Sequence, residues 1–234
     1  MSRSTRWIVV SVVLALVVVL LAPFVYTEVQ EGRTPPPLGL QPPGEETAPA
    51  APPEPGPFDV DGDWVVGTGS EAGFRAVRTD VPEDESVLLG VTSDVEGTFT
   101  VRAGELEAAN VTAQVASIRT GSAAADRQLR QALETDLYPT ALFSLTTPLD
   151  VSELEATTQP VELEAVGALT LRDETQPVTV ALEIRRSAQG LVASGAIGVT
   201  FSDFGIAVPP DAPVQVRDDG TVEVRLEVVR APTS

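Results

Sequence analysis

From Phe58 onward, apolar residues recur at every second position in run after run. Ala72, Phe74 and Ala76 share one face, as do Val95, Gly97, Phe99 and Val101. Residues 105–118 read as one long strand rich in Ala and Val. Three later runs alternate in the same way: Val161 to Leu171, Val178 to Ile184, and Leu191 to Val199. A last run sets Val222, Val224, Leu226 and Val228 against Glu223, Arg225 and Glu227. Such alternation is the mark of antiparallel strands with one buried and one wet face. Gln189-Gly190 and Asp219-Gly220 have hairpin-turn chemistry. About eight strands with short turns predict an all-β barrel or sandwich.

One stretch changes the period. Residues 122–137 place Ala125, Leu129, Ala132, Leu133 and Leu137 at the spacing of one helical face. Ser122 suits an N-cap, and Asp126–Arg130 and Arg130–Glu134 are i,i+4 pairs of opposite charge. Pro139 is the expected stop, because the residue before a proline is pushed out of the α region. A strand follows with Ala141, Phe143 and Leu145 on one side. A lone helix in a β-rich chain favours a closed barrel, one end of which it covers. The inward register mixes Phe with Ala72, Ala76, Gly97, Ala165, Gly167, Ala193 and Gly195. Small inward residues leave room, and an eight-stranded barrel can hold one ligand there.

Ahead of this domain lie two different segments. Residues 7–26, WIVVSVVLALVVVLLAPFVY, are almost unbroken apolar and long enough to span a bilayer as a helix. Arg3 and Arg6 precede the run and Glu28 and Glu31 follow it. The positive-inside rule then predicts residues 1–6 in the cytoplasm and the rest of the chain outside the membrane. A cleavable signal peptide is the competing reading. The run exceeds a usual signal core and no A-x-A site follows it, which favours an uncleaved anchor. Residues 27–57 are expected to be a disordered linker. Ten prolines fall within 34–57, with three Glu and no basic residue. That composition cannot bury a core and favours an extended polyproline II spacer.

Composition narrows the chemistry. The chain has no Cys and no His, and all 15 of its basic residues are Arg. Thiol nucleophiles, imidazole bases and Schiff-base lysines are therefore absent. A net charge of -19 argues against nucleic acid, whose phosphates need basic patches. Asp59, Asp61 and Asp63 have the first three ligand spacings of a Ca²⁺ loop. Its sixth and twelfth positions are Trp64 and Ser70, so an acidic turn is expected instead. Asp203-Phe204-Gly205 spells the kinase metal triplet without the catalytic loop or lysine it needs. Gly67, Gly69 and Gly73 open no helix and read as a turn between strands. Asn110-Val111-Thr112 lies mid-strand and reads as a chance glycosylation match. No G-x-S-x-G elbow is present, aromatics are few, and no enzyme, cofactor or metal is expected.

Several stretches together carry a resemblance. They are Trp64 with Ser70 and Phe74; Gly97 with Phe99; Asp126, Leu129, Arg130, Leu133, Tyr138-Pro139 and Phe143; and Phe204-Gly205-Ile206. Over about residues 62–228 the chain resembles the YceI-like family of bacterial extracytoplasmic lipid-binding domains. It departs at Gly69, where many members carry His, and at Ala125, where many carry Arg. The resemblance implies an antiparallel, lipocalin-like barrel over 58–234, binding a long-chain isoprenoid or similar amphiphilic lipid without catalysis. The candidates for lining its channel are Phe74, Phe99, Phe143, Leu145, Leu169 and Ile197. The rival reading is an envelope interaction module whose barrel is filled by the same six side chains.

Overall fold

The computed structural model describes residues 58–81 and 87–232. The expected cytoplasmic N-terminus (1–6), membrane anchor (7–26) and linker (27–57) lie outside the described residues. The strands are β1 (Gly62–Val66), β2 (Glu71–Arg78), β3 (Val87–Thr92), β4 (Val95–Arg102), β5 (Glu105–Gln114) and β6 (Thr140–Leu145). They continue with β7 (Leu149–Asp150), β8 (Val161–Leu171), β9 (Glu174–Arg186), β10 (Gly190–Thr200) and β11 (Val216–Arg230). Helix α1 (Ala123–Ala132) lies between β5 and β6, and the single turn α2 (Glu153–Ala156) lies between β7 and β8.

These strands make eight staves. β1 and β2 run end to end along β11, through Val66↔Val228 and Val224↔Ala72 respectively. β4 and β3 pair in turn with β1 and β2, so they form a second broken stave. β5, β6, β8, β9, β10 and β11 follow in order, all antiparallel, and the β1–β11 pairing closes the ring. The expected closed barrel is therefore present. Ser70 repairs the break between β1 and β2. Its hydroxyl donates to the Gly67 carbonyl at 2.8 Å and accepts the Glu227 N–H at 3.0 Å. Gly67 and Gly69 fall at this break, with Gly69 at φ +91°.

Four sequence expectations are corrected. The strand expected over 105–118 ends at Gln114, and Val115–Ser117 form a 3₁₀ turn. Asp219-Gly220 is no hairpin; it lies inside β11, beside a register shift between Val216 and Gly220. There Gly220 leaves room for the Phe201 ring, whose Cζ would lie 2.5 Å from a Cβ at that position. The helix expected over 122–137 keeps its Ser122 cap, which accepts the Ala125 N–H, but it spans only Ala123–Ala132. It stops because Glu134 takes φ +48°, five residues before Pro139, and Leu137 consequently points into solvent at 71% exposure. The i,i+4 ion pairs also give way to partners elsewhere. Asp126 accepts from Thr120, and Glu134 pairs with Arg172.

Candidate functional site

The interior is not filled. Two cavities lie end to end in the barrel, about 130 Å³ under α1 and about 160 Å³ toward the opposite end. The first is walled by the buried face of α1 (Ala125, Leu129, Ala132) and Leu133 just past it, by Phe74 and Ile118, and by Ile206, Val214 and Val216. The second is walled by inward residues of every stave, among them Phe99, Leu106, Val180, Leu191 and Leu226. Apolar voids on the order of 150 Å³ stay dry and accept small hydrophobic guests.

Of the six residues singled out in the sequence, Phe74 borders the cavity under α1. Phe99, Phe143, Leu145, Leu169 and Ile197 border the other. Leu169 and Ile197 are buried, whereas Phe74, Phe99, Phe143 and Leu145 are only partly so while bordering empty space. Glycines make part of this room indirectly. A Cβ on Gly90 would lie 2.3 Å from the Phe74 ring, and one on Gly167 would lie 2.4 Å from the Phe143 ring. The missing side chains let both rings settle against the wall instead of across the channel.

The lining offers almost nothing polar. Among the described residues, only Thr92 and Gln128 contribute polar side chains under α1, and Trp64 is the one lining residue with a polar side-chain atom in the other cavity. Each of these groups already has a protein partner. The Thr92 hydroxyl shares a hydrogen bond with Ser117 at 2.6 Å and accepts the Asp94 N–H at 3.0 Å. The Gln128 amide exchanges two hydrogen bonds with the Val214 backbone, at 2.6 and 3.0 Å. Trp64 Nε1 donates to the Val60 carbonyl at 2.9 Å. A guest here meets hydrocarbon and no unmet donor or acceptor. Among the described residues, no titratable side chain lines either cavity.

Each end of the barrel carries a cover, α1 at one mouth and a plug of side chains at the other. At one end α1 is fastened at three places. Thr120 donates its N–H and hydroxyl to Asp126 at 2.8 and 2.7 Å, which holds the Asp126 carboxyl below its usual range. Gln128 ties the helix to Val214, and Arg172 binds both Glu134 and the Gly205 carbonyl. Phe204, in the rejected kinase-like triplet, is 2% exposed and belongs to this end of the core, while Gly205 takes φ +64°. Ala125, at the position where the resemblance expects Arg, puts a methyl group into the cavity.

The opposite end is plugged by Val60, Trp64, Val151 and Leu154. Sequence reasoning missed the half of this plug that Val151, just past β7, and Leu154, in α2, supply. The signal for it was the Val151–Leu154 spacing within VSELEA, one turn of an amphipathic helix. The acidic turn nearby has a structural job. Asp61 accepts the N–H groups of Gly104 and Ala103 at 2.8 and 2.9 Å, and the Gly104 bond leads in lowering its pKa. Asp63 instead pairs with Arg102 at 2.9 Å.

Comparison with known proteins agrees with this architecture. No curated protein sequence matches the chain. Among solved structures it is similar to Burkholderia cenocepacia BcnA, at 18% identity and a TM-score of 0.55 over 70% of this chain and 99% of that one. It is also similar to a polyisoprenoid binding domain from Saccharophagus degradans implicated in plant cell wall breakdown. That match has 16% identity and a TM-score of 0.54, over 73% of this chain and 98% of that one. At such identities the likeness speaks for the fold alone. The family is shown by the sequence itself: residues 67–228 match the model of the YceI-like domain, and the chain belongs to that family.

Proposed function

We propose that this protein is a binding protein that holds the hydrocarbon tail of a long-chain isoprenoid, or of a similar amphiphilic lipid, inside its barrel. The observation that carries the reading is the pair of apolar cavities in which every lining polar side chain is already engaged by the protein. A tail buried there gains about 25 cal/mol per Å² of apolar area. A hydroxyl or charge buried with it loses water and finds no partner. The tail therefore goes in and the headgroup stays at the mouth. The similarity to a polyisoprenoid binding domain supports the isoprenoid as the class to test first. The lack of titratable lining supports binding without catalysis.

The protein is further proposed to be tethered to the outer face of the cytoplasmic membrane. The apolar run 7–26, with Arg3 and Arg6 before it, supports the anchor, and the proline-rich run after it supports a spacer. Native mass spectrometry of the full chain released from detergent tests the first part. The expected result is a co-purifying lipid, or uptake of an added polyprenol at one copy per chain. Repeated absence of both overturns it. Protease treatment of intact cells tests the tether: the barrel should be accessible from outside, with the chain in the membrane fraction.

A further inference from the structure

The two cavities share four wall residues: Ala72 on β2, Ala113 on β5, Ala141 on β6 and Val222 on β11. Both spaces therefore meet along one half of the ring, the half that runs from β11 through β2 to β5 and β6. Ala113 and Ala141 are direct cross-strand partners. β6 and β11 stand four staves apart in either direction round the ring, so Ala141 and Val222 lie on opposite walls. On the other half-ring, bulk takes over. Leu171 faces only the cavity under α1, while Leu169 and Ile197 face only its neighbour. The walls common to both spaces carry only three alanine methyl groups and one valine.

We infer that Ala72, Ala113, Ala141 and Val222 form a neck that passes a single thin hydrocarbon chain, so the barrel selects a linear tail long enough to occupy both compartments. This rests on the tail-binding reading above. Apolar contact grows with every unit threaded through the neck. A long flexible tail, whose isoprene units carry only single methyl branches, therefore gains in both compartments, whereas a short one fills only one. A fused-ring lipid has no thin segment to pass between opposite walls. Alanine is the smallest side chain compatible with regular strand geometry, so a larger residue at Ala113 or Ala141 closes the passage from the wall.

The test uses the full chain and three probes of one chemistry: geraniol, geranylgeraniol and a long-chain polyprenol. In the wild type, affinity should rise with each step in length. In Ala113→Leu and Ala141→Leu the polyprenol should lose more than about tenfold in affinity while geraniol changes by less than about threefold. Equal polyprenol binding by wild type and folded variants overturns the neck. Failure of the wild type to bind any of the three overturns the tail-binding reading, and the neck with it. A second measurement needs no variant. Protein saturated with polyprenol should exclude geraniol altogether, because one tail fills both compartments; continued uptake of geraniol overturns the neck.

Discussion

Phe74 and Gly90 are direct partners across the β2–β3 ladder, and the Phe74 ring stands in the place a Gly90 side chain would take. A Cβ there would lie 2.3 Å from Cε1 of Phe74 and 2.8 Å from Cγ2 of Ile118. The pairing turns a large residue into wall. Without it the ring would project into the cavity under α1, which Phe74 already borders.

Gly90→Ala should therefore cost about 1–3 kcal/mol, the usual penalty for forcing atoms into a packed site. Part of that cost should vanish in a Phe74→Ala background, where only the Ile118 methyl still obstructs the new Cβ. Urea unfolding of the two single variants and the double variant measures the coupling, expected at about 0.5–3 kcal/mol. Additive costs would mean that the ring and the glycine are independent.

The helix over the barrel mouth gives a second prediction. Gln128 satisfies both backbone groups of Val214, a residue only 7% exposed. Gln128→Leu keeps the volume but strands a buried N–H and a buried carbonyl. The expected loss is about 1–3 kcal/mol. Hydrogen exchange should accelerate at the Val214 amide and in α1 before it does in β8 or β9. Uniform acceleration across the barrel would show that this amide pair does not fasten the helix.

Much of this architecture was legible before any coordinates. Period-two runs placed Phe74, Phe99, Phe143, Leu145, Leu169 and Ile197 on inward faces, because alternation in a half-buried strand leaves little choice of side. What failed was local. Asp219-Gly220 has turn chemistry, yet pairing with β10 on one side and β2 on the other carries the chain straight through it. The helix ended early because Glu134 adopts a left-handed conformation, which no proline or glycine announced. Charged residues at i,i+4 spacing found better partners in Thr120 and Arg172, since exposed helix pairs are worth only about 0.3–0.5 kcal/mol. The Gln128–Val214 tie and the shared neck residues join positions far apart in sequence, and no spacing rule reaches them.

Acid should loosen the helix end of the barrel. The hydroxyl and N–H of Thr120 hold the Asp126 pKa below its unfolded value, so the interaction stabilises the fold above about pH 4. That contribution is lost as pH falls through the lowered folded pKa. Asp126→Ala should melt lower than the wild type at pH 7 by the equivalent of about 1 kcal/mol. The gap should narrow as pH falls below about 4 and the wild-type carboxylate is protonated. A gap that stays constant with pH would assign the loss to packing instead of charge.

The last prediction separates a fully packed leucine from a half-packed one. Leu154 at the far end is 1% exposed, packed with Val60, Trp64 and Val161. Leu129 on α1 is only partly buried and borders the cavity under the helix. Truncating a fully packed leucine removes its transfer free energy and leaves a new void, at about 2–5 kcal/mol. A leucine beside empty space has already lost contacts on one side, because a gap forfeits the dispersion energy of missing partner atoms. Leu154→Ala should accordingly cost about 2–5 kcal/mol and Leu129→Ala about 1–2 kcal/mol, toward or below the bottom of the range for buried leucines. The gap should narrow when ligand fills the barrel. Leu129 then gains the missing contacts, whereas Leu154 borders the far cavity but is already packed. Bound polyprenol should therefore enlarge the cost of Leu129→Ala more than that of Leu154→Ala, as read by thermal melting with and without the lipid. If Leu129→Ala costs as much as Leu154→Ala in the empty protein, the space under α1 is closed in solution and the channel ends at the neck.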